Sequence, residues 1–556
     1  MSKLLRKNWF CYALIGLFTL LLWGRTVGFD FVWDDQFLIV KNTHIRSLRN
    51  IPEIFTSLLP QSADVAPSYR PTRTAFYALL YAIDGHDRAR PWIFHLSNVL
   101  WHAGAAMLLF SVALLLWQRL MGEATFAGRI AALLAALGFV ADPVVSEAVC
   151  WVKCLDDLIG TVFVLASLRA LLLWNGGKGR FMAALFFYLV AAFSKESAAP
   201  FAAVVFVVFL GFHKFSWQRS ALLTVPFVAV GLYYIAWRQG VLGQAEECPP
   251  LSGSYGQTLI DMFPVVAKYL RLLWGIPPFI VDYNYMVGAP HHHFFSVAVL
   301  TGVLLILAFA ATAAWLWRFE NWRMVSFGIW WIALFLLPVS NLVPMMQYMA
   351  ERFLYLPLVG FLLALAQLGL NLPRRGLAGA GAGVLIALWA ACSMERMGVW
   401  HDEVELFVQT SLAHPESWRP RENAIVSIFA LPQISPFFRL DPDTHQLMAL
   451  NPPREADAAA MLNTLTGAHN IFPNEHRFTA ALGVAYAQRG QMSNAVTWLE
   501  LAAHQKTNDV SCWIDLASAY ARLTNWTAAR AALESALRVS PTNRLVQERL
   551  RELKSN

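Results

Sequence analysis

Gly28-Phe-Asp-Phe-Val-Trp-Asp-Asp-Gln-Phe37 comes soon after the apolar run from Asn8 to Trp23, and that succession decides how the chain is read. A run of that length and apolarity behind Lys3, Arg6 and Lys7 has the pattern of a signal peptide. No small-x-small cleavage site follows, so the run reads as an uncleaved first membrane helix. Asp30, Asp34 and Asp35 then emerge at the bilayer surface among aromatics. Carboxylates are costly beside lipid and tend to mark a site, although a juxtamembrane cap or a solvated turn explains them too. In a helix Asp30 and Asp34 share a face; in irregular chain Asp34 and Asp35 reach one cavity.

The composition fits a membrane protein with a polar appendage. Of 556 residues, 57% are hydrophobic and 14% charged, where a soluble chain carries nearer a quarter. About eleven stretches approach the ~20 apolar residues a spanning helix needs. They lie near 9–24, 92–117, 128–143, 157–174, 181–194, 199–212, 220–237, 295–317, 324–339, 353–370 and 376–393. Arg119 and Arg129, Lys178 and Arg180, Lys214 and Arg219, Arg318 and Arg323, and Arg374 and Arg375 fall in every second loop. The positive-inside rule then places the N-terminus in the cytoplasm and the C-terminal region outside. The net charge of +7 is spent on helix ends, which argues for orientation and against nucleic acid. The six cysteines show no zinc spacing.

Charges recur at the outer mouth of the spans, as a shared outward-facing cavity requires. The first outside loop, 25–91, holds the acidic cluster and an amphipathic segment, Asn42 to Leu59. Lying in the interface, it would turn Ile45, Leu48, Ile51, Ile54, Phe55 and Leu58 toward the lipid. Tyr69-Arg70, Lys195-Glu196 and Glu351-Arg352 suit a phosphate clamp, arginine by paired hydrogen bonds and lysine as a point charge, or else interfacial snorkelling. His95 and His102, at helical spacing in the second span, suit a lipid-phosphate contact or a satisfied core. His291-His292-His293 reads as a loop tip or a metal tract. Asp30, Asp34, Asp35 and Asp157 have the oxygen ligands a divalent metal wants, but nothing in the sequence brings them together. No metal or other cofactor is required by this reading; a divalent metal is compatible with it.

From Trp400 the composition turns soluble. Leu482, Gly483, Tyr486, Ala495, Leu499 and Ala502 recur about 34 residues later as Leu516, Ala517, Tyr520, Ala529, Leu533 and Ala536. That period and pattern are those of tetratricopeptide repeats, with 544–554 as a capping helix. The expected fold is all-α. A membrane bundle fills 1–398, a helical connector 399–474 and a repeat solenoid 475–556.

An ordered set of short motifs carries a resemblance. It comprises Asp34-Asp35, Tyr69-Arg70-Pro71, Phe94-His-Leu-Ser-Asn-Val-Leu-Trp-His102, Asp142-Pro-Val-Val-Ser-Glu-Ala148, Ser194-Lys-Glu-Ser197, Val281-Asp-Tyr283, Ala350-Glu-Arg-Phe-Leu-Tyr-Leu-Pro357 and Val399-Trp-His-Asp-Glu-Val404. In this order they resemble the membrane O-mannosyltransferases that fuse a GT-C fold to tetratricopeptide repeats, and their bacterial relatives. The resemblance implies transfer of a sugar, with inversion, from a polyprenyl-phosphate donor to Ser or Thr of an exported protein. It implies Asp34 or Asp35 as the base and Arg352, with Arg70, Lys195 and Tyr69, at the donor phosphate. Asp30, His95, His102, Asp157, Glu196, Asp282, Glu351 and Tyr355 would support that site. Where relatives often carry Gly-Arg-x-Asp, this chain has Cys154-Leu-Asp-Asp157; the Asp is kept and the Arg is missing. The implied partners are the lipid-linked sugar, an exported protein held by the repeats, and the bilayer of a bacterial inner membrane, with site and repeats in the periplasm. The rival readings are a GT-C transferase acting on oligosaccharide, lipid or glycan, and a non-enzymatic membrane-anchored scaffold.

Overall fold

The computed structural model describes residues 2–58, 68–86, 88–122, 125–243, 248–283, 292–415, 417–442, 444–450 and 452–553. Over these residues the chain is all-α apart from one short antiparallel ladder, Phe438–Leu440 with Leu447–Ala449. It divides into two compact units, Met1–Pro420 and Arg421–Asn556.

In the first unit the principal helices are α1 (Asn8–Trp23), α2 (Pro71–Asp84), α3 (Pro91–Met121), α4 (Phe126–Ala141), α5 (Leu155–Leu172), α6 (Lys178–Ser194), α7 (Phe201–Gly211) and α8 (Trp217–Leu242). After these come α9 (Tyr255–Leu273), α10 (Val297–Leu316), α11 (Arg323–Leu336), α12 (Pro357–Asn371) and α13 (Arg375–Gly398). The long α3 is the spine: α1, α4 and α5 all pack on it, and α5 packs in turn on α6.

All eleven apolar stretches are helical. Among the described residues, six helices are by length and composition long and apolar enough to cross a membrane, or seven if a bent pair is one span. The others fall short for plain reasons. α7 and α12 have 11 and 15 residues, against the ~20 that cross the hydrocarbon. α5 carries Asp156, Asp157 and Arg169 within its length. The chain is a multi-pass membrane protein.

The bent pair is α4 with Pro143–Cys150, at 48°. Proline disfavours helical backbone in the residue before it. Asp142 accordingly has ψ 125° and its carboxylate accepts from Val144 N at 3.0 Å, capping the next turn. α11 and α12 meet at Gly328 and Gly360. A Cβ on Gly360 would lie 2.6 Å from the Gly328 carbonyl oxygen, so only small residues permit this crossing.

Residues 42–58 do not form one interfacial helix. They break into short turns and the helix Ile51–Thr56, and Leu59 lies outside the described residues. Ile45 and Ile54 are buried, while Phe55 and Leu58 pack against Tyr69, Phe193 and Tyr234. The segment faces protein because α2, α6 and α8 offer it an apolar surface.

In the second unit, helices His476–Gln488 and Met492–Gln505 form one antiparallel pair, Val510–Arg522 and Trp526–Val539 the next, and Arg544–Glu552 packs on the end. Alanines, Leu499, Leu516 and Leu533 fill the core between them. Gly483 is required where it stands: a Cβ there would meet Leu499 Cγ at 2.6 Å.

Candidate functional site

The acidic stretch is irregular, and a strained residue shapes it. Trp33 has φ +53°, a left-handed backbone that a bulky side chain rarely adopts. Such strain costs about 1–3 kcal/mol and persists only where the surroundings over-determine it. Here the surroundings are aromatic. The Trp33 ring stacks on Trp151 with centroids 4.9 Å apart, and Trp151 stacks on Trp400 at 5.7 Å. Phe407 closes on Trp33 edge-on at 5.5 Å.

This turn separates the three carboxylates. Asp30 is exposed, and only its backbone is tied down, to the His401 carbonyl at 3.0 Å. Asp35 is fully buried and accepts from Val32 N at 3.2 Å and Lys153 N at 2.8 Å. Burial pushes its carboxyl well above the usual range despite those two donors. Asp34 points elsewhere: its side chain is 18% exposed and meets Lys153 Nζ at 2.8 Å. Burial raises the Asp34 pKa, but Lys153, with Arg352 and Arg73 behind it, outweighs burial and the net shift is downward. The pair thus splits into an inner carboxyl that fixes the backbone and an outer carboxylate that faces the site.

Trp151 gathers the cations. Lys153 Nζ lies 4.3 Å and Arg352 Cζ 5.4 Å from its ring centroid, distances at which the ring's negative face attracts charge. Arg352 sits on the turn Glu351–Leu354 ahead of α12. Its guanidinium pairs with Glu147 and Gln347, and its backbone N–H donates to the second Glu147 oxygen at 2.8 Å. The kink after Asp142 is what brings Glu147 there. Phe353 lies between two charges, 5.0 Å from Arg352 and 5.8 Å from Lys195.

Lys195, extended after α6, leads into a second network. Its Nζ is 2.5 Å from Asp157 Oδ2 and 3.9 Å from Asp156 Oδ1. Arg70 reaches Asp156 at 2.5 Å and Glu196 at 2.8 Å, and Arg73 adds a contact to Asp156 at 3.3 Å. The structure therefore brings Asp34, Lys153, Arg352, Lys195, Asp157, Asp156, Arg70 and Glu196 into one continuous chain of contacts.

Other expected residues are placed outside that chain. Tyr69 is buried, donating to the Phe55 carbonyl at 2.5 Å and accepting from Trp237 at 2.9 Å. Glu351 is fully buried and holds Arg396 at 3.0 Å and Ile280 N at 2.6 Å. His102 is enclosed by Trp23, Phe139 and Tyr355, with Tyr355 Oη at 2.7 Å from Nδ1. His95 sits 3.3 Å from the Asp30 carbonyl, so it positions the start of the acidic turn. Asp282 lies 4.0 Å from Arg419. His292 binds Asp261; His291 lies outside the described residues. Among the described residues no three His, Cys, Asp or Glu side chains are grouped to hold a metal ion. Asp34, Asp156 and Asp157 each face a cation instead.

Sequence reading counts Glu147, Lys153 and Asp156 among the charges at the outer mouth but gives them no role, and it passes over Arg73 and Trp151. One signal was available: an acid or base at the mouth of an apolar span needs a counter-charge. Glu147 and Arg352, both flanked by apolar runs, were candidates for each other.

No protein-family model matches the chain. It is similar to the protein O-mannosyl-transferase TMTC4 of Mus musculus, with 30% identity over 161 residues, 28% of this chain and 22% of that protein. For the Homo sapiens TMTC4 the figures are 29% over 174 residues, 30% of this chain and 23% of the relative. For the Xenopus laevis protein O-mannosyl-transferase tmtc2 they are 29% over 244 residues, 40% and 27%. The matches thus span about a quarter of the relatives' length. A solved APC/C hetero-tetramer, Cut9–Hcn1, aligns over 87% of this chain and 93% of its own at 14% identity, with a TM-score of 0.22, too low to carry an argument.

Proposed function

We propose that this chain is a membrane glycosyltransferase of the protein O-mannosyltransferase kind, moving a sugar from a polyprenyl-phosphate donor to Ser or Thr of an exported protein with inversion. One observation carries the reading: a partly exposed carboxylate, Asp34, kept ionised among cations that bracket one aromatic ring. The weak similarity to the TMTC transferases supports it.

In this mechanism Asp34 is the general base. The acceptor oxygen attacks the anomeric carbon from the face opposite the phosphate, and its proton passes to Asp34. The carbon–oxygen bond to the phosphate breaks, and its electron pair stays on the phosphate. Charge developing there meets Arg352 and its neighbours, and cations fixed in advance where charge appears supply the main electrostatic gain. Asp35 does not take the proton in this scheme; it holds the backbone that aims Asp34. We further propose that the N-terminus is cytoplasmic, that site and repeats face the periplasm of a bacterial inner membrane, and that the repeats bind the acceptor protein.

The test is transfer from labelled polyprenyl-phosphate mannose to a Ser/Thr peptide by the purified, full-length protein. Asp34→Asn should lower turnover by about 10²–10⁴-fold, the range a positioned base contributes. Undiminished transfer by that variant, or no transfer by the parent protein from any polyprenyl-phosphate sugar, would remove the reading.

A further inference from the structure

The cluster is electrically balanced. Arg352 is held by Glu147, Lys195 by Asp157, Arg70 by Asp156 and Lys153 by Asp34. A phosphate entering such a cluster must take a cation from a carboxylate, because an unmatched buried charge is costly.

Access and what each cation has left decide which pair yields. The side chains of Glu147 and Asp156 are 1% exposed, and Lys195 and Asp157 are 3% and 8%. Glu196 is open at 36%, but Arg70 keeps Asp156 when Glu196 moves away. Lys153 and Asp34 both reach the surface of the site, at 17% and 18%. Among the described residues Lys153 has no second carboxylate partner. It also shares the Trp151 ring with Arg352, and the Arg352 charge acts on it directly.

We propose that Lys153 exchanges Asp34 for the donor's phosphate, and that this exchange frees the Asp34 carboxylate to accept the proton of the acceptor hydroxyl. The inference rests on the glycosyl-transfer reading above. Before the donor binds, Asp34 is ionised but tied to Lys153 and a weak base; afterwards its proton affinity rises. The groups facing Asp34 are Lys153, the Asp35 carboxyl, Arg352 and Arg73, and those facing Lys153 are Asp34, Asp35, Asp156, Arg352 and the Cys154 thiol. Of these only Lys153 changes partner. Lys153 is thus a donor-binding residue that couples donor occupancy to the base.

The test is the pH dependence of transfer at saturating and at limiting donor in the full-length protein. In the parent protein the acid limb of kcat should lie at higher pH than that of kcat/KM for donor. Lys153→Gln should raise donor KM by about 10- to 100-fold, the loss expected for one charge-assisted hydrogen bond, and should narrow the gap between the limbs. Lys153→Arg should restore donor KM to within a few-fold. Should Lys153→Gln fail to fold, calorimetry on the parent protein decides: a non-transferable polyprenyl phosphonate sugar should bind with proton uptake in mildly acidic buffer. An unchanged donor KM or limb gap in Lys153→Gln, or binding without proton uptake, overturns the exchange. If Asp34→Asn is inactive in the same assays, the transferase reading survives that outcome.

Discussion

At the scale of residues, adjacent identical side chains have opposite environments. Asp35→Ala should lower stability in detergent by about 1–3 kcal/mol for each buried N–H it orphans, whereas Asp35→Asn keeps one acceptor oxygen, enough for only one of the Val32 and Lys153 N–H groups, and should fall between Asp35→Ala and the parent protein. Thermal unfolding of the two variants checks this, and equal losses would dismiss the scaffold role of Asp35. Arg352→Lys keeps the charge but loses the planar fork that reaches both Glu147 and Gln347. It should reduce kcat and raise donor KM together, read in steady-state kinetics. Neither contrast is visible in Asp-Asp or in Glu-Arg as written. The turn at Trp33 and the kink at Asp142-Pro143 decide which carboxylate faces which cation.

At the scale of elements, glycine crossings and a repeat contact carry checkable weight. Gly360→Leu forces a side chain into the Gly328 carbonyl and the Trp331 ring, and overpacking of this kind costs about 1–3 kcal/mol or more. The melting temperature in detergent should fall, while Gly369→Leu, with only Ala378 nearby at 3.9 Å, should change little. In the repeats, His476 lies between Glu475 at 3.3 Å and Asp509 at 3.4 Å. Burial opposes its charge, but the two carboxylates outweigh burial and raise its pKa. A raised histidine pKa stabilises the fold fully below the unfolded value, near 6.5, and that contribution is lost as pH rises through the folded value. Hydrogen exchange in His476–Gln488 and Val510–Arg522 should therefore quicken from pH 6 to pH 8 beyond the intrinsic rise, and His476→Gln should abolish that excess. Besides α2, Pro71–Asp84 in the expected first loop, a further helix escaped the sequence: α9 is amphipathic and carries Asp261, Lys268 and Arg271. Its charges hide it from a search for uniformly apolar runs.

At the scale of the whole molecule, the alternation of basic loops gives a topology open to direct test. Reporter fusions after Lys178 and after Trp400 should give opposite readouts, cytoplasmic and external. The same readout from both would place Asp34 and the repeats on different sides from those proposed. Deleting the chain from Asn474 onward should weaken use of a folded protein acceptor while sparing a short peptide, since repeats contribute binding and not chemistry. A scaffold would show the reverse, with Asp34→Asn silent and the deletion fatal.

The sequence by itself determined the class. Long apolar runs have no stable place but a membrane or a core, and a 34-residue period of small and aromatic side chains packs as helical pairs. Those signals are local or periodic, so Asn8–Trp23, Pro91–Met121 and the helices from His476 onward were legible in one dimension. It also singled out Asp34, Arg352 and Lys195, because charge is rare beside lipid. Only the tertiary structure decided their partners. Glu147 and Arg352 are 205 residues apart, and Asp34 and Lys153 meet across 119. Such pairings are set by where a kinked helix and a strained turn aim their side chains, a property of packed backbone that no spacing in the chain encodes.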